Sequence, residues 1–351
     1  MTSSTSSSER AEETFHRPPP GHGAALWLPP GPDDGARGMA SDLAAACLAA
    51  FVAITLAIAL LRDDMRFAGA PKWFWMEKLD WGPSSDIVVA GDSRTYRGID
   101  PSIFAGTHPR GCVNFGFSSA TLSPEFLSAA VAALAPRGDR ILAIGLTPAS
   151  LRAPLANRDG FAAARIEYGR LRMPLRLARA VEEWELMVAP FAIDRGFGDS
   201  VQAARATADE YAQEFHPDGW VESDRAVDDP VGAGLAVVRR DFERSPHSPR
   251  VLDELVSAVR ELSEGGTRVF VFRPWVPDPV ASEEDRIGGV DWSAARARLE
   301  AAGARWLDIS VPGLRSYDGT HLDGPSARRF SEELRRSIDR ATVNSAVRRG
   351  S

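Results

Sequence analysis

The sequence predicts an α/β fold: a three-layer α/β/α sandwich with a parallel five-stranded sheet, preceded by one transmembrane helix. Three observations predict it. The 351 residues are 44% hydrophobic and 25% charged, a composition typical of a globular protein rather than a disordered or polytopic one. Short apolar runs alternate with helical patterns over most of the chain, as in parallel sheets covered by helices. An uncharged run of nineteen residues, at 43–61, precedes them.

The N-terminal region divides into a tail and an apolar segment. Residues 1–39 are rich in Ser, Pro and Gly and cannot bury enough apolar surface to offset their chain entropy, so we expect a disordered tail. A helix over 43–61 would be roughly 28 Å long, close to the thickness of the hydrocarbon core. Residues 40–62 are therefore interpreted as a signal-anchor helix in the lipid bilayer. A buried helix of a soluble domain and a cleaved signal peptide are the alternatives.

Residues 63–83 are interpreted as a juxtamembrane segment. Their aromatic cluster, Trp73-Phe74-Trp75-Met76, fits an aromatic belt at the membrane interface and packing beneath the following domain equally well. Basic residues lie on both sides of the apolar segment, and their count slightly favours a cytoplasmic C-terminal part.

Five short runs within residues 84–343 have the apolar or β-branched composition of strands and are flanked by turn residues. They are Asp86–Ala90, Cys112–Phe115, Arg140–Ile144, Arg268–Phe272 and Arg305–Ile309. Helical patterns separate them, so we expect parallel strands with ligand sites at their carboxyl ends. The turns Gly91-Asp92-Ser93, Gly116-Phe117-Ser118 and Gly145-Leu146-Thr147 then share one rim of the sheet.

Helix signals lie between the strands. Ser123-Pro124 and Ser248-Pro249 each place an N-cap serine before a proline at the first helical position. A third helix is predicted over Trp292–Ala302, ended by Gly303, and the last begins near Pro325. Residues 344–351 are interpreted as a C-terminal tail.

Residues 151–247 break this rhythm. They hold mostly helical, Arg/Ala/Glu-rich sequence without a clear strand, so we interpret them as a mainly helical insertion between the third and fourth strands. The insertion could cap the rim of the sheet or dock a partner. A family-specific decoration is an alternative that fits the sequence at least as well.

Charge and cysteine content exclude several function classes. A net charge of -7, from 41 basic and 48 acidic residues, provides no basic surface for nucleic acid. The two cysteines, Cys47 and Cys112, cannot form a disulfide framework or a four-ligand zinc site. Since no phosphate-binding loop, dinucleotide fingerprint or zinc motif is present, the sequence predicts no cofactor and no metal.

Three rim segments carry residues suited to acyl chemistry. Ser93 follows a buried strand, where a hydroxyl is presented at the rim. Asp318 lies three residues before His321, so a base that takes the serine proton and an acceptor that orients the base share one loop. Gly116 can expose its backbone N–H beside that of Ser93, as an oxyanion hole requires.

These motifs in this order resemble the SGNH/GDSL hydrolase superfamily, over roughly residues 84–340 apart from the insertion. Gly91-Asp92-Ser93 is similar to its first block, Asn114-x-Gly116 to its second and Asp318-x-x-His321-Leu322 to its last. The resemblance implies a flavodoxin-like sheet with Ser93 as nucleophile, His321 as general base and acid, and Asp318 as its orienting partner. It also implies oxyanion donation by the amides of Ser93 and Gly116.

One block departs from the family pattern. The family has Gly-x-Asn-Asp, whose asparagine is a further oxyanion donor, whereas this chain has Gly145-Leu146-Thr147-Pro148. The Thr147 hydroxyl is a candidate replacement donor, and the change fits a weaker or redirected site equally. Arg94 and Asn114 are candidate substrate-binding residues, with a structural salt bridge as the alternative for Arg94.

A membrane helix followed by such a domain is similar to membrane-anchored proteins of cell-envelope O-acylation, including alginate acetylation and teichoic-acid D-alanylation proteins. The resemblance implies a single-pass membrane protein with an extracytoplasmic domain that removes or transfers an acyl group, foremost acetyl, on an envelope polysaccharide. A transfer role implies a polytopic membrane acyltransferase as partner. The rival interpretation is a non-catalytic envelope protein that retains the fold for glycan binding or assembly.

Overall fold

The computed structural model describes a large part of the chain. The described residues are 42–43, 45–54, 71–153, 159–171, 173–175, 177–179, 213–223, 227–244 and 247–350. The chain divides into two compact units, Met1–Ala53 and Ile54–Ser351. The strands, the helices and the candidate site described below all lie in the second unit. The described part of the apolar segment, apart from Ile54, lies in the first.

The predicted transmembrane helix has no support among the described residues. Residues 42–43 and 45–54 are helical, but no described helix is both long enough and apolar enough to cross a membrane. Residues 44 and 55–61 of the predicted span lie outside the described residues, as does the whole tail 1–39.

The predicted parallel sheet is confirmed. Its strands are β1 (Ile87–Gly91), β2 (Cys112–Gly116), β3 (Ile141–Gly145), β6 (Arg268–Phe272) and β7 (Arg305–Leu307), in the order β2-β1-β3-β6-β7. All four pairings are parallel. The chain crosses over at β1, with β2 on one side of it and β3 on the other. This reversal of strand order opens a crevice at the carboxyl ends, where α/β proteins place their ligands.

Helices cover both faces of this sheet. They are α1 (Pro71–Asp80), α2 (Ser93–Gly98), α3 (Pro124–Ala132), α4 (Gly160–Arg170), α5 (Pro230–Arg244), α6 (Pro249–Glu264), α7 (Asp278–Gly288), α8 (Trp292–Ala301) and α9 (Gly324–Gly350), with short 3-10 turns at Pro101–Phe104 and Ala149–Leu151. Most of them connect successive strands, as the alternating pattern predicts.

Two apolar cores lie on opposite faces of the sheet because strand side chains alternate in direction. Val88 and Ala90 point to the core shared with α3, α6 and α8. Ile87 and Val89 point to the core shared with α9, whose predicted stripe of Phe330, Leu334 and Ile338 is fully buried there. Strands covered on both sides read as continuous apolar runs, which is why they were predictable.

The aromatic cluster of residues 73–76, in the segment predicted to be juxtamembrane, packs against the domain. Trp73, Phe74 and Met76 on α1 are 5% exposed or less, and Phe74 lies in a small core with Tyr96 and Val221. Of the two expectations for this cluster, the structure shows packing beneath the domain.

The described part of the predicted insertion contains helices and one hairpin that was not predicted. Residues 213–223 contain an antiparallel hairpin of β4 (Gln213–Phe215) and β5 (Val221–Ser223), which the sequence did not predict. Three residues are too few to show a strand period, and two of these six are glutamates. Helices α4 and α5 are also part of the insertion. Residues 154–158, 172, 176, 180–212, 224–226 and 245–246 of the insertion lie outside the described residues.

Candidate active site

The predicted nucleophile lies at the start of a short helix that follows the central strand. Strand β1 ends at Gly91, and Asp92 caps α2 by accepting a 3.0 Å hydrogen bond from the Arg94 N–H through Oδ1. Ser93 is the first helical residue and is partly exposed. The turn therefore presents the Ser93 hydroxyl at the rim of the sheet, as predicted.

Glycines make this arrangement of strand and helix sterically possible. Gly91 is in register with Gly116 on one neighbouring strand and Gly145 on the other, so three glycines line the rim beneath α2. A Cβ on Gly91 would lie 2.1 Å from Thr95 Oγ1 and 2.8 Å from the Gly145 carbonyl oxygen. Helix α2 can approach the strand ends this closely only because they carry no side chains.

Asp318 and His321, the predicted orienting acid and base, share a tight turn. Gly319 has a φ of +85°, which favours glycine, and lets the chain fold back on itself between Asp318 and His321. Asp318 Oδ1 accepts hydrogen bonds of 2.8 Å from the backbone N–H groups of Thr320 and His321. The second oxygen, Oδ2, lies 2.7 Å from His321 Nδ1. The backbone thus fixes the carboxylate that orients the imidazole.

The structure brings the three predicted triad residues together across 228 positions of sequence. His321 Nε2 lies 2.9 Å from Ser93 Oγ, while the opposite ring nitrogen contacts Asp318. In the tautomer this pairing favours, Nδ1 donates to Asp318 and Nε2 accepts from the serine hydroxyl. Such a chain of contacts allows the histidine to take the serine proton.

Burial and neighbouring groups favour the neutral form of His321 and the charged form of Asp318. Burial lowers the pKa of His321; the hydrogen bond that Nδ1 donates to Asp318 opposes this, while the positive charges of Arg97 and Arg94 reinforce it. Burial alone would raise the pKa of Asp318, but the contact with His321 and the two backbone N–H groups bring it well below its usual range. A neutral base beside a charged orienting group is the resting state that acyl transfer requires.

Asn114 and Gly116 play structural parts that differ from the predicted ones. The Asn114 side chain is fully buried and donates to the carbonyl oxygens of Thr95 and Ile99, at 2.9 and 2.8 Å. Its oxygen accepts the Gly116 N–H at 2.9 Å. The Gly116 N–H that was expected to face an oxyanion is therefore already bonded, and both polar atoms of the buried Asn114 side chain have partners within the protein.

Thr147 is also diverted from its expected role. Its hydroxyl donates a 2.5 Å hydrogen bond to Asp92 Oδ2 and accepts one of 3.0 Å from the Ser150 N–H. The side chain is 1% exposed. Instead of facing an oxyanion, the Thr147 hydroxyl fixes the turn that carries the predicted nucleophile, Ser93.

Arg94 forms the salt bridge that was the alternative to substrate binding. Its guanidinium pairs bidentately with Glu284 on α7, at 2.7 and 2.9 Å. The two side chains are 8% and 1% exposed, so the pair lies inside the protein.

One predicted oxyanion donor remains free. The Ser93 N–H, at the first position of α2, makes no hydrogen bond to any other residue that the structure describes. The first N–H groups of a helix have no acceptor within the helix. This amide is accordingly available beside the serine hydroxyl.

Several supporting residues were missed from the sequence. In the insertion, Asp218 accepts the Asn114 N–H at 2.8 Å, and Trp220 Nε1 donates to the Arg97 carbonyl oxygen at 3.1 Å. The Val227 N–H donates to the Tyr317 carbonyl oxygen at 3.0 Å. The described parts of the insertion therefore contact both α2, which carries Ser93, and Tyr317, which precedes the turn that carries Asp318 and His321. No local sequence signal indicated these long-range contacts.

Lys78 on α1 is a second missed residue. It is 1% exposed and donates to the carbonyl oxygens of Gly116 and Gly219, at 2.7 and 2.9 Å. Burial lowers its pKa well below the usual range, opposed by the negative charge of Asp218. Its ammonium group ties α1 to the end of β2 and to the hairpin.

No family model matches the chain, and no curated protein matches its sequence significantly.

Proposed function

We propose that the protein is a serine esterase or O-acyltransferase of the SGNH/GDSL type. The observation that carries this proposal is the 2.9 Å contact between Ser93 Oγ and His321 Nε2, backed by Asp318 on the other ring nitrogen. A nucleophile, a base and an orienting acid in this arrangement support acyl transfer through a covalent intermediate. A non-catalytic protein that merely retained the fold would not need this alignment, so the contact speaks against the rival interpretation.

In the proposed reaction, His321 Nε2 takes the Ser93 proton as Oγ attacks the acyl carbonyl carbon. The tetrahedral intermediate collapses, the bond to the leaving alkoxide breaks, and the imidazolium returns its proton to that oxygen. Water or a sugar hydroxyl then gives its proton to His321 and attacks the acyl-enzyme carbonyl carbon. As the bond from that carbon to Ser93 Oγ breaks, the imidazolium returns its proton to Oγ and the resting site is restored. Asp318 stabilises the imidazolium in both halves of the cycle.

The oxyanion donors limit the range of substrates. Only the Ser93 amide, of the three predicted donors, is free to bond the developing oxyanion, because Gly116 and Thr147 are engaged elsewhere. Loss of one donor typically costs about 2.7 to 4 kcal/mol of transition-state stabilisation. We therefore propose O-acyl esters, which are less demanding than amides, as the substrate class.

The finer proposals rest on the resemblance to envelope O-acylation proteins. They are an acetylated cell-envelope polysaccharide as substrate, a polytopic acyltransferase as partner, and anchorage through residues 43–61 with the domain outside the cytoplasm. A reporter enzyme fused after residue 351 tests the location. Extracytoplasmic reporter activity supports it, and cytoplasmic activity contradicts it.

Hydrolysis of p-nitrophenyl acetate tests the enzymatic proposal. Wild-type protein should hydrolyse the ester, and both Ser93→Ala and His321→Gln should reduce the rate to the background level. Ser118→Ala is the matched control, because Ser118 is an exposed serine of the neighbouring rim turn with no part in the triad. Equal rates for wild type and Ser93→Ala would contradict the proposal.

A further inference from the structure

Arg97 connects α2, which carries Ser93, to the segment that carries Tyr317, Asp318 and His321. It lies four residues after Ser93, one helical turn along α2, and so projects from the same side of the helix. Its Nη1 donates a 2.5 Å hydrogen bond to Tyr317 Oη, and its Nε donates to Tyr96 Oη at 3.2 Å. Trp220 bonds its carbonyl oxygen. Both ends of Arg97 are therefore held in place.

Tyr317 carries this connection to the catalytic base. Its ring is 3% exposed and stacks on the His321 imidazole, with centroids 5.8 Å apart and planes 20° apart. Its backbone N–H donates to the His321 carbonyl oxygen at 3.1 Å. Two contacts, one through the ring and one through the backbone, thus join Tyr317 to His321.

The charges around His321 come from two elements. Asp318 lies on the same turn, while the positive charges of Arg94 and Arg97, both on α2, act on the imidazole electrostatically. Glu284 on α7 offsets the charge of Arg94 through the bidentate pair. Arg97 bonds neutral phenols instead of a carboxylate, so its charge is the less compensated of the two.

We propose that Arg97 and Tyr317 are positioning residues for His321: Arg97 holds the Tyr317 ring, and the ring holds the imidazole plane with Nε2 facing Ser93 Oγ. The permanent charge of Arg97 also favours the neutral imidazole before the reaction. This inference rests on the proposed function, in which His321 is the base.

Four variants test the proposal. Arg97→Met removes the charge and the bridge, while Arg97→Lys keeps the charge but cannot bond both phenols in the same planar geometry. Tyr317→Phe keeps the stacked ring without its hydroxyl, and Tyr317→Leu removes the ring. Arg315→Met is the control, since Arg315 lies near the same turn, 76% exposed and paired with Asp323.

The first readout is the pH dependence of p-nitrophenyl acetate hydrolysis. Arg97→Met should move the acid limb of kcat/KM to higher pH, whereas Arg97→Lys should leave it unchanged. Misplacement of the base should lower kcat about tenfold to a hundredfold in Arg97→Met and Tyr317→Leu, with little change in KM and a smaller loss in Tyr317→Phe. Arg315→Met should match wild type. An unshifted acid limb in folded Arg97→Met, or wild-type kcat in folded Tyr317→Leu, would overturn the proposal.

The second readout does not need activity. NMR titration of the His321 imidazole, assigned by its absence from His321→Gln, should show a higher pKa in Arg97→Met than in wild type and no change in Arg315→Met. If the wild type hydrolyses no ester but the titration shifts as expected, the proposed function fails while the placement of Arg97 stands. If esters are hydrolysed and the titration does not shift, the positioning role fails alone.

Discussion

The Thr147 hydroxyl donates a 2.5 Å hydrogen bond to Asp92 Oδ2, so the turn after β3 holds the turn after β1. The other oxygen of Asp92 caps α2, the helix that begins at Ser93, by accepting a hydrogen bond from the Arg94 N–H. A single carboxylate therefore joins the third sequence block to the first. This contact explains how the chain accommodates a threonine where the resemblance would place an oxyanion-donating asparagine: the residue supports the nucleophile from beneath.

Thr147→Val should destabilise the fold, because it leaves Asp92 Oδ2 and the Ser150 N–H without their partner. The expected loss is about 1 to 3 kcal/mol of unfolding free energy, measured by urea denaturation. Thr147→Ser keeps the hydroxyl and should therefore retain most of the unfolding free energy that Thr147→Val loses. If Thr147 were instead an oxyanion donor, the valine variant would lose about 10²- to 10³-fold in kcat with unchanged stability.

Gly91→Ala should be poorly tolerated. The added Cβ would meet Thr95 Oγ1 at 2.1 Å and the Gly145 carbonyl oxygen at 2.8 Å, and backbone cannot move aside within a sheet. Overpacking of this kind costs about 1 to 3 kcal/mol or more, and we expect α2 to lift from the strand ends with loss of activity. Gly82→Ala is the matched control, since no atom lies within 4 Å of its added Cβ. Similar melting temperatures for the two variants would argue against this packing.

The ion pair of Arg94 and Glu284 should respond differently to single and double replacement. Arg94→Met or Glu284→Gln leaves an uncompensated buried group and should cost about 3 to 5 kcal/mol. The double variant with Arg94→Met and Glu284→Leu buries no charge and should recover much of that loss. Urea denaturation of the three variants measures this. Near-wild-type stability of both single variants would show that the pair contributes little.

Activity should require the neutral form of His321. Since the pKa of His321 is lowered in the folded protein, kcat/KM should rise with pH along an acid limb whose midpoint lies below the ordinary histidine value of about 6.5. Asp318→Asn should lower kcat by roughly 10⁴, because the amide favours the wrong imidazole tautomer. Steady-state rates between pH 4 and 9 measure both effects. An acid limb centred above that ordinary value would contradict the electrostatic description of the site.

The sheet was predictable, and so was the proximity of Ser93, Asp318 and His321, but for different reasons. Strands such as Ile141–Gly145 are covered on both faces and appear in the sequence as uninterrupted apolar runs. Asp318 and His321 were linked by their short spacing. Ser93 could be joined to them only through the expected parallel topology, which places strand ends at one rim.

The errors at the site share a physical cause. Gly116 and Thr147 lie at the rim as expected, but the partners of their polar atoms, Asn114 and Asp92, were assigned no such role. Hydrogen-bond competition within a rim depends on side-chain direction, which residue spacing does not reveal. The buried Lys78 and the hairpin contact at Trp220 were missed for a related reason, because each joins segments far apart in the sequence.

Covalent labelling of Ser93 by a fluorophosphonate probe tests the central claim most directly. The wild type should gain the mass of one probe, located by peptide mapping on Ser93, while Ser93→Ala should gain none and His321→Gln should react far more slowly. Ser118→Ala should label like the wild type. Equal labelling of wild type and Ser93→Ala, or no labelling of correctly folded wild type, would contradict the assignment of Ser93 as the nucleophile.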